Sequence, residues 1–429
     1  MRRHVYVLGC DGFELARMKR VSRARGCAFH ELASYADAKT GPLHGEALLQ
    51  RARAVLDAAT VPIDAILGWW DFPVSTMLPI LRREYGTPGA SLESTLRCEH
   101  KYWSRLEQAR CVPEVVPAFE LIDPDARDPF STLTLPLPVW IKPIRSVASH
   151  LGFRIDTRAD FARALRRIRA EIGRLARPFD ELLAYASLPV EIAPVGGRHC
   201  IAEAIISHGH QVTVEGYVAG GRTYTYGIVD SLREGRHGSS FGRYQYPARV
   251  PASVGHAMHD VLVRLLAHVD YGPGPLNAEF FWDEDGGLRL LEVNTRISKS
   301  HGALFEMVDG ESNHAVNLRC ALGEAPDPPH REGRCAVAAK FMVRRYQDAT
   351  VRHVPGPDEL RAVERAHPGT LVKVHVRPGM RLSELEGQDS YSYEVAELHM
   401  GAQDEAALLA DYQDALALLG FTFEEREAA

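Results

Sequence analysis

The stretch NAEFFWDEDGGLRLLEVNTR (277–296) constrains this chain more than any other. DEDGG (283–287) is a strong turn signal between two apolar runs, so the whole reads as a hairpin. A two-residue loop at Asp285-Gly286, or a four-residue loop over 284–287, sets Glu279 opposite Glu292. Side chains alternate along a strand, so both carboxylates point to one face, with Phe281 beside Glu279 and Asn294 beside Glu292. Opposed strand residues have Cβ atoms about 5 Å apart. Two acids held that close repel unless a cation lies between them. A hard divalent ion takes oxygen ligands, and Glu279, Glu292 and Asn294 supply that donor set. The alternative is a solvated polar face, which the flanking Phe280, Leu290 and Leu291 oppose. Arg296 lies on the same face and can hold a carboxylate or phosphoryl group bidentately. His301 follows on the loop, either donating to the same anion or standing as a plain surface residue.

Upstream, HVYVLG (4–9), CAFHELA (27–33) and IDAILGW (63–69) alternate with helical stretches, the pattern of a parallel sheet with crossover helices. Gly9 and Gly12 do not make GxGxxG, which argues against a dinucleotide-binding dehydrogenase. Asp71 in WWDFP (69–73) ends the third strand, where it either contacts substrate or caps the next helix. A helix is expected over 87–109, beginning near Ser91 or Ser94. The Arg-rich run 156–178 has helical spacing and reads as a solvated face rather than an RNA site. Strands are expected at 137–144, 201–207, 211–218 and 223–231, the second and third joined by a short His-Gly-His turn. A helix follows over 253–269, and the Pro-rich 324–333 reads as a linker. Beyond it, AVAAKFMV, TLVKVHV and SYEVAELHM are strand-like, and a last helix near 403–419 stops at Gly420.

The 429 residues suit two to four packed units, and a net charge of −6 gives no nucleic-acid footprint. Seven scattered cysteines without a CxxC pair favour reduced thiols and a cytoplasmic protein. VYVL is too short for a signal peptide, and no stretch nears the roughly 20 apolar residues of a membrane span.

Glu279, the hairpin and EVNTR (292–296) together resemble the ATP-grasp superfamily, in its carboxylate–amine ligase (L-amino-acid ligase) and biotin carboxylase-like branch. The resemblance covers roughly residues 1–325. It implies an α/β (α+β) ATP-grasp fold: a Rossmann-like domain (1–90), a subdomain with the phosphate-covering loop (91–205), a subdomain with the metal site (206–325) and a C-terminal α+β subdomain (326–429). It implies ATP and Mg²⁺ (or Mn²⁺), the metal on Glu279, Glu292 and Asn294, and Arg296 steadying an acyl phosphate. Lys101 in CEHKYW and Lys142 in VWIKPI match lysines that reach the ATP. Ser149 and Gly152 fall in the phosphate loop, where Gly152 is the one glycine of RSVASHLG, so Arg145 and His150 are candidates to contribute directly. Glu203, Ala204 and Ile206 match the adenine-binding linker, Glu215 an acid of the next strand, and Phe281 a wall against the base. Arg243 matches a basic residue facing the γ-phosphate.

Ser298 and Ser300 stand where biotin carboxylases place a glutamine and a bicarbonate-activating glutamate. The expected activity is therefore ADP-forming ligation of a small carboxylate and an amine, amino acids or small peptides by resemblance. Carboxylation and a silent ATP-binding subunit are the rivals. The C-terminal unit is left to line either the substrate pocket or a homodimer interface.

Overall fold

The computed structural model describes residues 2–39, 45–146, 150–235, 240–385, 388 and 392–425. Ser149 lies outside the described residues. Near the amino terminus, Arg3–Cys10, Cys27–Ser34 and Ala65–Leu67 form a parallel sheet with Arg3–Cys10 in the middle. Asp11 caps the helix Gly12–Arg20 by accepting from the Glu14 amide, and its second oxygen accepts from Trp69 Nε1 at 3.0 Å. Gly9 has φ +69°, and a Cβ there would meet Trp70 and Val74, so this turn accepts only glycine without strain.

A second sheet is antiparallel in the order Phe119–Ile122, Cys200–Ala204, Val139–Pro143, Phe153–Ile155. Val139, Ile141, Cys200 and Ala202 pack one of its faces on Phe161 and Ile168 of the helix Arg158–Glu171. The other face carries Trp140, Lys142 and Glu203 toward the site. The Arg-rich run breaks into Arg158–Glu171 and Gly173–Leu183.

The third sheet has eight strands: Leu288–Asn294, Gly274–Trp282, His210–Ala219, Arg222–Glu234, Ser240–Tyr246, Val337–Arg345, Tyr393–Ala402 and Leu371–Val374. It runs across the boundary expected at 325/326, so strands of the C-terminal unit extend the sheet that carries the two acids. Val212, Val214, Ala278, Phe280 and Val293 cover one face and pack on Met258, Val261, Leu262 and Leu265 of the helix Ala252–His268. Full burial of each of the larger of these side chains, Ala278 excepted, stabilises by about 1.5–3 kcal/mol.

The strand at 201–207 ends at Ala204, and the next strand belongs to a different sheet, so 205–209 is a crossing between sheets and not a hairpin turn. The helix expected over 87–109 is two, Leu92–Glu99 and Lys101–Cys111, broken at His100. His100 is fully buried and caps the second helix: its Nδ1 accepts from the Trp103 amide, and its Nε2 lies 3.0 Å from the Val195 carbonyl. A neutral ring protonated on Nε2 satisfies both contacts.

Burial, above all, lowers the His100 pKa to about 4. The unfolded chain therefore takes up this proton near pH 6.5 while the folded chain resists it. Stability should fall as pH drops from about 6.5 toward 4, by up to about 3 kcal/mol from this residue alone. Urea unfolding of His100→Asn should show less of that loss; an identical pH profile would refute the assignment.

Candidate active site

The hairpin places Glu279 directly opposite Glu292, Asn277 opposite Asn294 and Ala278 opposite Val293. One row of the polar face therefore runs Glu215–Asn277–Asn294, and the next runs Thr213–Glu279–Glu292. Beyond Glu279 the register slips, Phe280 pairing with Leu290 and leaving Leu291 as the extra residue of a bulge. Arg105, on the helix Lys101–Cys111, donates to the Leu290 and Leu291 carbonyls at 2.9 and 2.8 Å. No sequence signal marks Arg105, because helical periodicity assigns a lone arginine to solvent; here it is buried.

Arg105 also reaches Glu203, Nε to Oε1 at 2.6 Å, and Lys142 Nζ lies 2.6 Å from the other Glu203 oxygen. The anion that buried Lys142 requires is thus Glu203. Burial pushes the Glu203 carboxyl up, and Arg105 and Lys142 outweigh it, holding it down at about 2. Lys101 Nζ lies 3.8 Å from Glu292 and donates to the Ser146 carbonyl at 3.4 Å. Burial lowers the Lys101 pKa, opposed by Glu292.

The two acids share their charge unequally. Burial, then repulsion from Glu292, raises the Glu279 carboxyl well above the carboxylate range. Burial also penalises Glu292, but Lys101 and Lys142 outweigh it and lower that carboxyl. Gln211 donates to Glu279 at 2.8 Å. Asn294 Nδ2 donates to Asn277 and to Glu292, which leaves its amide oxygen to serve as a ligand. A buried acid pair that repels, beside a carboxamide oxygen, fits a hard divalent cation. His375, Glu394 and Glu397 also cluster, but Lys340 and Lys373 already neutralise Glu397.

The motif beyond Asn294 is tied on both sides. Glu99, also missed in the sequence, accepts from the Thr295 amide and hydroxyl at 3.0 and 2.6 Å. Its other oxygen accepts from Arg145 and Ser75, both at 2.7 Å. Arg145 pairs with Glu99, and His150 lies 3.9 Å from Glu171 on the surface. Asp71 neither caps a helix with its side chain nor stands alone; it pairs with Arg296, 2.7 Å to Nε and 2.6 Å to Nη2.

His301 is buried, not a surface loop residue, and its Nδ1 is 2.8 Å from Glu215 Oε1. Glu215, fully buried, also accepts from the Ser298 amide and the Tyr226 hydroxyl. This carboxylate is committed to holding the motif turn. Phe281 is buried on the Glu279 face. Ala204 has spent its amide on the Ala118 carbonyl, and Ile206 is half-buried in the crossing between sheets. Gly152 is half-buried just before the strand Phe153–Ile155.

Arg243 is the clear misplacement. On its strand, Tyr244 faces Glu279 and His301, so Arg243 points to the opposite side of the sheet. There it pairs with Glu405 at 3.1 Å, at the start of the helix Glu405–Leu419. Its Nη1 is buried without a partner. Arg243→Met should leave ADP formation within about threefold of wild type and change stability only modestly, since Glu405 keeps Arg249 and Gln245 as partners. A loss of turnover at unchanged stability would restore Arg243 to the site.

Comparison with known proteins agrees with this architecture. Residues 135–302 match the ATP-grasp domain family. An L-amino acid ligase from Bacillus licheniformis superposes with TM-score 0.75 at 16% identity, over 99% of this chain and 99% of that one. The biotin carboxylase domain of 2-oxoglutarate carboxylase from Hydrogenobacter thermophilus, a dimer solved with MgADP, ADP and bicarbonate, superposes with TM-score 0.67 at 14% identity, over 98% and 91%. An uncharacterized protein of Sinorhizobium fredii is 30% identical over 141 residues, 32% of this chain and 28% of that relative, so the match spans less than a third of the relative's length. The match to the ATP-grasp domain family thus covers residues 135–302, and the chain shares the mixed α/β fold of these solved structures from end to end.

Proposed function

We propose that this protein is an ATP-dependent carboxylate–amine ligase that forms an amide through an acyl phosphate, releasing ADP and phosphate. The observation that carries the reading is the in-register pair Glu279–Glu292 beside Asn294, with Lys101 and Lys142 close to Glu292 and Arg296 on the same strand's extension. Glu279, Glu292 and Asn294 would hold Mg²⁺, which supplies charge neutralisation on the nucleotide phosphates when bound. Lys101 adds positive charge for the triphosphate, and Lys142 adds to it from within its pair with Glu203. The acid's carboxylate oxygen attacks the γ-phosphorus, the bond to the bridging oxygen breaks, and ADP leaves. Arg296, oriented by Asp71, holds the acyl phosphate. The amine nitrogen then attacks the acyl carbon, phosphate departs and the nitrogen loses a proton. Glu99 and Glu215 act as positioning residues, pinning Thr295 on one side of the motif and Ser298 on the other. Positioning and electrostatics suffice, so no cysteine is needed as a nucleophile.

Ser300 offers no carboxylate to activate bicarbonate; it lies 3.5 Å from Lys340. Phosphate release over a matrix of carboxylic acids and amines, amino acids included, tests the reading. Phosphate should appear only when an acid and an amine are both present. ADP formed from bicarbonate and free biotin without an amine would replace the ligase with a carboxylase. Binding of MgATP with no turnover for any pair would make the protein a silent nucleotide binder.

A further inference from the structure

Among the described residues, Lys299 has no anion of its own. Lys299 sits in the turn Ser298–His301, half-buried, with Nζ 4.4 Å over the Trp70 ring. The turn is rigidly held: the Ser298 amide donates to Glu215, and the Ser298 carbonyl accepts from the His301 amide at 3.1 Å and Asn313 Nδ2 at 2.8 Å. Trp70 is stacked on Tyr35 with ring centroids 3.7 Å apart, so the lysine rests on a two-ring wall at the carboxyl ends of the amino-terminal strands. Trp70 adjoins Asp71, the partner of Arg296, so the same two segments that orient Arg296 also carry this second cation.

The nearby acids are all committed elsewhere. Glu397 is paired with Lys340 and Lys373, and Glu14 with His314 at 3.0 Å and Arg17 at 3.5 Å. Among the described residues no carboxylate pairs with Lys299. Burial, then the positive charge of Lys340, lowers its pKa to about 8, the environment of a cation that lacks a counter-charge. A cation–π contact compensates only part of a buried ammonium's lost hydration. An incoming anion would complete it.

We propose that Lys299, backed by Trp70, is a subsite for a substrate carboxylate other than the one that is activated at Arg296. This deepens the ligase reading and rests on it. The substrates then include a carboxylate the enzyme leaves intact, carried either by the amine partner, as in an amino acid, or by a dicarboxylic acyl donor. The aromatic wall favours an unbranched or flat apolar segment next to that group.

The test uses the full-length protein, with wild type, Lys299→Met and Lys299→Arg compared. Thermal shift with MgAMP-PNP present is read for each of the twenty amino acids against its primary amide, and for dicarboxylic acids against their monoamides. The active pair from the phosphate-release matrix is then run with the same replacements. Wild type should prefer a free carboxylate by roughly 10- to 100-fold in binding or in kcat/KM, the range of a charged hydrogen bond. Lys299→Met should abolish that preference with the KM for ATP unchanged, and Lys299→Arg should restore part of it. Preference confined to the amino acid arm places the carboxylate on the amine, and preference confined to the dicarboxylate arm places it on the acyl donor. A wild type indifferent to amidation, or a Lys299→Met variant that keeps the preference, overturns the subsite. Carboxylate-selective binding lost in Lys299→Met without any turnover would leave the subsite standing and remove the ligase.

Discussion

Glu292→Gln should lower ADP formation by on the order of 10³-fold while the protein stays folded, because transition-state charge stabilisation of this kind is worth that much. The change keeps the shape of the side chain and removes one negative charge from the pair it forms with Glu279. Lys101, 3.8 Å away, loses its counter-charge, so the variant is expected to bind free nucleotide no worse while failing to seat the metal. Glu279→Gln should be equally inactive but with a different stability signature. The Glu279 carboxyl is pushed up by burial and by Glu292, so its ionised form costs folding energy. That cost grows as pH rises through the carboxylate range and is complete above neutrality. At pH 8 in EDTA, Glu279→Gln should therefore melt above wild type, and MgATP should narrow the difference. Wild-type turnover in Glu292→Gln, measured by coupled ADP release, would remove the metal assignment.

Glu203→Ala should destabilise the fold by about 3–5 kcal/mol, the cost of stranding buried charges. Arg105 and Lys142 both contact this one carboxylate at 2.6 Å, and all three side chains are buried. Arg105 also closes the bulge at Leu290 and Leu291, so its displacement should disturb the strand that carries Glu292. With its carboxyl held at about 2, Glu203 contributes stability above about pH 4.5, and that contribution is lost as pH falls toward 2. Urea unfolding at pH 7 measures the loss. A variant within about 0.5 kcal/mol of wild type, the scale of an ordinary surface substitution, would contradict this network.

The hairpin was legible in the sequence because two periodic apolar runs flank a five-residue turn signal, and alternation then fixes the face of Glu279, Glu292 and Asn294. The parallel amino-terminal sheet was legible for the same reason. The bulge at Leu291 was not, since it depends on an arginine arriving from a distant helix. Arg243 is assigned to the γ-phosphate by resemblance alone, and a resemblance does not fix which face of the strand meets the cleft; the neighbouring Tyr244 takes the inward position. Glu99, Asp71 and Glu215 acquire their roles through partners 196, 225 and 83 residues away, contacts no local pattern encodes. Lys299 lies three residues beyond the motif, and its significance depends on every nearby acid being already paired, which no local pattern encodes.

The most direct test of the account is a crystal structure with Mn²⁺ and AMP-PNP, using anomalous scattering at the manganese edge. A manganese peak is expected within about 2.2 Å of oxygens from residues 279, 292 and 294, bridged to the nucleotide phosphates. Manganese bound instead at His375, Glu394 and Glu397, or nucleotide seated with neither acid within coordinating distance of the ion, would contradict it.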